Sequence, residues 1–355
     1  MKEIISVESK TKYILLRLLT ENPLSYWDLL LNSFDNVSLV IDSLQELMNE
    51  NLIKYENDKF HLTEKGKQVV KNLLKIEPEE VKCSECQGRG IKITDYFKKL
   101  LEKFLDLSKD RPKAIPEFDQ GVVEPQTLIS RIIFMYYKGD LENKDIVLIG
   151  DDDLTSIALA LSNLPNNILV LEADERLVNY INEKSKNYNL KNLRAILYNV
   201  EDPINSDFIG SFDTFLTDPV ETIEGITLFI SRGVSMLKEG GAVYFGLTYL
   251  EASYKKWHKI HSNLYNMNLV LTDILDKYQL YELNPDDIVS KGYRVYTEAV
   301  NKLKIELNKP LKPWYNSAFH RLTLIDKPNP YYPPNKQIKL ERKLYYDEEA
   351  YVTLY

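Results

Sequence analysis

Hydrophobic and polar positions along this chain change their period several times. Near the N-terminus, residues 12–19 and Val37–Asn49 carry apolar side chains at helical spacing. Residues 51–55 and Lys59–Leu62 read as two short strands around the turn Glu56-Asn57-Asp58, and Thr63-Glu64-Lys65-Gly66-Lys67 opens a further helix. A stretch rich in proline and polar residues, 109–127, leads into a helix at 128–138. Beyond it, short continuous apolar runs alternate with amphipathic segments. The runs predict strands at Asp145–Ile149, 168–171, 194–198, Phe212–Thr217, 242–247, 270–275 and 318–325. Helices are predicted between them at 155–162, 175–186, 223–237 and 252–266, the third stopped by Gly240-Gly241.

Strands that are apolar throughout and alternate with helices indicate a parallel, doubly wound α/β sheet. The order matches a class I methyltransferase-like fold, preceded by a small winged-helix-like domain. Four parts are expected: 1–78, the winged-helix-like domain; 79–127, a cysteine-containing segment and linker; 128–328, the methyltransferase-like domain; and 329–355, a tail kept extended by its prolines. The tail is either a lid over the site or an arm docked on a second subunit.

Composition narrows the function. At 355 residues and 44% hydrophobic, the chain can bury a substantial core. It has no run of eighteen apolar residues and no signal-peptide pattern, so a cytoplasmic protein without membrane contact is expected. The net charge of −8 disfavours nucleic acid and suits cationic ligands. Helix Val37–Asn49, which would enter the groove of DNA, carries Asp42 and Glu46 and no Lys or Arg. The N-terminal domain is therefore expected to serve packing or dimerisation, with a homodimer as the assembly. Abundant Lys, Glu, Ile and Tyr with few Gln is a heat-adapted usage. Cys83 and Cys86 form half of a zinc-binding knuckle without a second pair, so a metal shared across a dimer, a redox pair and a structural turn all stay open.

Ligands of open α/β sheets lie beyond the carboxyl ends of the strands. The first strand ends in Gly150-Asp151-Asp152-Asp153. Nucleotide-binding turns usually hold several glycines here; this one has a single glycine and three acids, so it repels phosphate or carboxylate and attracts a cation. The second strand ends in Glu172, placed to accept bonds from two ribose hydroxyls, with Asp174 beside it as a helix cap in the same donor-binding group. Asn199 follows the third strand, where an amide can read an adenine edge, although the segment is also an ordinary turn. Asp218 and Glu221 follow the fourth and face the reactive side of the donor. Asp119, Gln120 and Glu124 in the linker are candidate contacts for a cationic ligand or a solvated connector. Tyr244 is a candidate for covering ammonium groups, as are Tyr249, Tyr254 and Trp257, with core packing as the alternative.

The Gly150–Asp153 loop, the Asp218-Pro219-Val220-Glu221-Thr222 segment, the Cys-x-x-Cys-x-Gly-Arg-Gly segment and the winged-helix-like start together resemble the branched-chain polyamine synthases. The resemblance covers nearly the whole chain. It implies transfer of aminopropyl groups from decarboxylated S-adenosylmethionine, the co-substrate, to the central secondary amine of spermidine. It implies Asp153 as the key catalytic residue, Glu172 at the ribose and Asp218 at the reacting amine.

The charge pattern agrees with this chemistry. The donor lacks the carboxylate of S-adenosylmethionine and ends in a lone ammonium, which acidic groups select. The acceptor amine attacks only when deprotonated, so a carboxylate beside it would act as base, and no metal is required. A methyltransferase using S-adenosylmethionine and a winged-helix DNA-binding protein are the alternatives.

Overall fold

The computed structural model describes residues 10–74, 90–115 and 118–354. Cys83 and Cys86 lie outside the described residues. The N-terminal unit comprises helices α1 (Lys10–Leu18), α2 (Tyr26–Asn32) and α3 (Val37–Asn49), the antiparallel pair β1 (Ile53–Glu56) and β2 (Lys59–Leu62), and α4 (Glu64–Leu73). The apolar periodicity did not announce α2. It is only seven residues long and is set by a capping box, in which Ser25 and Asp28 each bond the other's backbone N–H.

The buried stripe of α3 (Val40, Ile41, Leu44 and Leu47) is sealed inside the protein rather than presented to a groove. Gln45 Nε2 donates to the Lys302 carbonyl at 2.9 Å, and Asp42 pairs with Lys302 at 2.6 Å. Trp27 packs at 4.8 Å, rings tilted by 49°, against Trp314 of the C-terminal half and donates to the Asn308 carbonyl. The two halves thus share one core.

Two helices follow, α5 (Asp95–Leu107) and α6 (Pro125–Tyr137). The first lies in what the sequence presented as linker, with Phe97, Leu100, Phe104 and Leu107 as its buried face. The sheet domain then runs β3 (Asp145–Ile149), α7 (Thr155–Leu161), β4 (Asn167–Glu172), α8 (Glu175–Asn187), β5 (Leu193–Leu197), β6 (Phe212–Thr217), α9 (Ile223–Met236), β7 (Leu237–Leu247), α10 (Tyr254–Tyr265), β8 (Leu269–Leu280), α11 (Pro285–Ser290), α12 (Arg294–Leu303), β9 (Asn316–Leu324) and α13 (Arg342–Tyr345).

The strand order is β5-β4-β3-β6-β7-β9-β8. The sheet is mostly parallel, as in class I methyltransferases, but not wholly so. Strand β9 inserts antiparallel between β7 and β8, correcting the all-parallel expectation. Gly240-Gly241 also plays a different part. The backbone is already extended at Leu237, which pairs with Phe212, and the next pair is Ala242 with Thr214. The glycines sit in this bulge, Gly240 at φ +82°, rather than at the helix end.

Alternation along β3 sends Ile146 and Leu148 into one core layer and Val147 and Ile149 into the other. With both faces covered, the strand ends are the one place where a side chain can leave the core yet stay fixed. The tail from 329 onward packs on its own chain. Arg232 donates to the carbonyls of Pro333 and Lys336, and Thr222 Oγ1 donates to that of Leu344. No helix among the described residues is long and apolar enough to cross a membrane.

Candidate active site

A cavity of about 600 Å³ opens over the carboxyl ends of β3, β4 and β6, roofed by residues 111–115 and 118–123 and by the C-terminal residues Tyr345, Val352 and Thr353. The turn after β3 begins at Gly150, φ +76°, a left-handed conformation that favours glycine. The three aspartates beyond it do not form one acidic wall. Asp151 turns back and caps α7, accepting from Ser156 N at 3.2 Å and from Ser156 Oγ at 2.5 Å, and it does not line the cavity. Asp152 does line it, and its Oδ2 accepts from Gly121 N at 2.9 Å. Asp153 lines the cavity too, but its side chain is buried with both oxygens engaged: Oδ1 accepts from Val123 N at 2.7 Å, and Oδ2 from Arg131 at 2.6 Å.

Glu172 stands at the end of β4, its oxygens accepting from Asp151 N at 2.7 Å and Asp174 N at 2.9 Å. Burial pushes its carboxyl up, and these backbone bonds oppose the shift. The bonds fix the carboxylate plane toward the cavity. Asp174 is not a lining residue. Its Oδ1 caps α8 at Arg176 N, and its Oδ2 accepts from Gln120 Nε2 at 2.9 Å. Gln120, expected at the polyamine, therefore ties the roof to the β4 end of the cavity. Asn199 lines the cavity, its Oδ1 accepting from Glu201 N at 3.0 Å.

Between the two ends lies Arg131 of α6. Its side chain is 3% exposed, with Asp153 at 2.6 Å and Asp218 at 2.7 Å. Burial opposes the guanidinium charge, but the two carboxylates hold it protonated. Asp218 also accepts from the Tyr281 hydroxyl at 2.8 and 3.0 Å. Burial pushes its carboxyl up, and Arg131 pulls it back.

The far end is acidic and aromatic. Asp119, Glu221 and Glu251 line it with Tyr293 and Tyr315. Tyr315 donates to Glu251 Oε2 at 2.6 Å and lies 3.3 Å from Glu221 Oε1. Burial and then Glu251 push Asp119 up to about 7, and burial and then Glu251 push Glu221 well above the carboxylate range. Carboxyls so disposed are short of a cation.

Two expected polyamine contacts fall elsewhere. Glu124 starts α6, its N–H donating to the Leu280 carbonyl, and is not a lining residue. Tyr244 is fully buried in the core, stacked on Phe319 at 5.4 Å and donating to Asp140 at 2.5 Å. Tyr249 and Trp257 stack on each other at 4.4 Å outside the cavity, and the Tyr254 hydroxyl donates to the Phe34 carbonyl.

Sequence reasoning missed Arg131, Glu251, Tyr281 and Tyr315. Arg131 stands among the apolar residues of α6, and a lone charge on an apolar helix was the one signal available.

This strand order, an acid closing the second strand of the nucleotide half, and carboxylates gathered at the strand ends define a group-transfer enzyme of the class I methyltransferase-like fold. Residues 99–352 match the family model for the branched-chain polyamine synthase A C-terminal domain. The chain is 37% identical over 353 residues to the N(4)-bis(aminopropyl)spermidine synthase of Methanocaldococcus jannaschii, covering 99% of this chain and 97% of that one. It is 36% identical over 363 residues to the synthase of the same name from Thermococcus kodakarensis, covering 99% and 100%. The branched-chain polyamine synthase of Thermus thermophilus, solved with N4-aminopropylspermidine and 5'-methylthioadenosine, superposes with a TM-score of 0.80 at 31% identity, covering 96% of this chain and 93% of that one. The chain belongs to the branched-chain polyamine synthase family.

Proposed function

We propose that the protein transfers aminopropyl groups from decarboxylated S-adenosylmethionine to the secondary amine of spermidine, giving N4-aminopropylspermidine and then the bis(aminopropyl) product. The observation that carries this reading is one cavity with two unlike ends. At one end Glu172 and Asn199 are set for a nucleoside, and at the other Asp119, Glu221 and Glu251 are set for ammonium groups. The ligands of the Thermus relative are the two products of such a transfer.

In the step itself, the amine lone pair attacks the propyl carbon next to sulfur. The C–N bond forms as the C–S bond breaks, the sulfonium takes the bonding pair, and 5'-methylthioadenosine leaves neutral. The proton shed by nitrogen needs a carboxylate. Asp153 was the residue expected for this, but its oxygens are bound to Val123 and Arg131. Asp152 lines the same cavity and is the more exposed of the two, and burial and then Asp153 push its carboxyl well above the usual range. We assign the base to Asp152 and the support of that turn to Asp153. A raised pKa brings the base toward the working pH, where general-base catalysis is most effective.

For the N-terminal unit we favour packing over DNA binding, because α3 is docked on α12 through Gln45 and Asp42. The test of the main reading is incubation with decarboxylated S-adenosylmethionine and spermidine, followed by mass spectrometry. Products one and two aminopropyl groups heavier, with one methylthioadenosine released per group, are expected. Transfer of methyl from S-adenosylmethionine with no aminopropyl transfer would overturn it.

A further inference from the structure

Next to Asp218 lies a closed polar network that the transfer step does not itself use. Gln279 and Ser317 are 0% and 1% exposed and do not line the cavity. Gln279 Nε2 donates to the Tyr281 hydroxyl at 3.0 Å and to Ser317 Oγ at 2.6 Å. Ser317 Oγ in turn lies 2.9 Å from the same phenol oxygen. An amide nitrogen has two hydrogens, and both are committed here. The reverse amide orientation would bury two donors without acceptors; the present one leaves only the Gln279 carbonyl oxygen without a partner. The phenol oxygen thus accepts from Gln279, and the Asp218 carboxylate at 2.8 Å is the charged acceptor within reach of its own hydrogen.

The backbone of β7 makes room for this arrangement. A Cβ on Gly246 would stand 2.2 Å from Asp218 Oδ1 and 2.5 Å from Gln279 Nε2. Any side chain there would displace one or both.

We propose that Tyr281, oriented by Gln279 and Ser317, is a positioning residue that fixes Asp218 as an ionised acceptor facing the reacting amine, a role that rests on the aminopropyl-transfer reading. Asp218 is faced by Arg131 from α6, by Asp152 and Asp153 from the turn after β3, by Glu221 from its own loop, and by Tyr281 beyond β8. The negative groups and burial favour its neutral form. Arg131 and the Tyr281 hydroxyl favour the charged form, since a hydrogen bond donated to a carboxylate stabilises the anion.

Tyr281→Phe removes that bond and keeps the ring. The acidic limb of the kcat profile reports Asp152 and Asp218 titrating together; it should move up by about one pH unit, and kcat at neutral pH should fall by about tenfold, the scale of one hydrogen bond to a charged group. KM for the donor should be unchanged, because Glu172 and Asn199 are untouched. A purely structural role would leave the limb where it is, so Tyr281→Phe with the wild-type pH profile overturns the proposal. If that variant does not fold, Ser317→Ala gives the same reading. It loses one bond to the phenol oxygen, and the limb should shift upward by less; an unmoved limb overturns the proposal equally. A wild type with no aminopropyl transfer would overturn the functional reading and this role together. An active wild type with an unshifted variant overturns the role alone.

Discussion

Arg131 and Asp153 meet at 2.6 Å with side chains 3% and 4% exposed, and the same guanidinium reaches Asp218 at 2.7 Å. One buried cation thereby joins the turn after β3 to the end of β6, two strand ends that line the same cavity. A buried charge network of this kind holds only while each member is paired.

Arg131→Met keeps much of the volume and removes the charge, leaving the buried Asp153 and the half-buried Asp218 without their shared cation. The expected cost is about 3–5 kcal/mol in urea unfolding. Combining it with Asp153→Asn should cost clearly less than the sum of the two single changes, because the second change removes one of the stranded charges. Additive losses would show that the pair is not coupled.

Asp152 is proposed for the chemistry and Asp153 for the support, and the two roles can be separated. Asp152→Asn should lower kcat by about 10²–10⁴-fold, the usual weight of a general base, with the melting temperature nearly unchanged. Asp153→Asn should lower the melting temperature, since it leaves Arg131 half-paired. If Asp153→Asn loses turnover at full stability while Asp152→Asn keeps it, the base is Asp153 and the assignment is reversed.

These roles show where the sequence was legible. Continuous apolar runs closed by turn residues mark the strand ends, so Gly150, Glu172, Asp218 and Glu221 stand out from the residue pattern alone. Orientation was not readable. Asp151, Asp152 and Asp153 are the same residue in one short turn, and its path, bracketed by the left-handed Gly150 and Leu154, turns Asp151 back while Asp152 and Asp153 reach the cavity. Tyr244 looked like Tyr281 in type, yet one lies on a core face and the other at a strand end. Glu251 and Tyr315 come from distant segments that meet only after β9 inserts between β7 and β8. No local pattern encodes that insertion.

Glu172→Gln tests the nucleoside end. Both carboxylate oxygens accept backbone N–H bonds, and an amide can accept through only one. Donor affinity should fall by about tenfold or more in calorimetry, with spermidine affinity nearly unchanged. Equal losses for both ligands would mean that the substitution disturbs the whole cavity.

Discrimination between donors follows from the charge of the middle of the site. The carboxylate of S-adenosylmethionine would enter a cavity lined by Asp152, Asp218 and Glu221. Like charges placed together cost affinity, so decarboxylated S-adenosylmethionine should bind at least tenfold tighter. Equal affinities by calorimetry would remove charge as the basis of selection.

The acidic end should make polyamine binding depend on pH. Burial and then Glu251 push the Asp119 carboxyl up to about 7, and the bond from Thr353 Oγ1 at 3.3 Å only partly offsets this. An unfolded aspartate titrates near ~4. The folded state therefore holds the proton more tightly. This contribution to stability is fully present below pH ~4 and is lost as pH rises toward 7. A polycation has the opposite preference, because it needs the carboxylate. Spermidine should bind about tenfold tighter at pH 8 than at pH 6, the change in ionised fraction of a group titrating near 7. Glu221 works in the same direction, so Asp119→Asn should flatten the slope around pH 7 without erasing all of it. The same variant should remove part of the fall in ligand-free stability between pH 4 and 7. Calorimetry at fixed ionic strength separates this from screening. An unchanged slope in Asp119→Asn would place the titrating group elsewhere and take Asp119 out of the ammonium site.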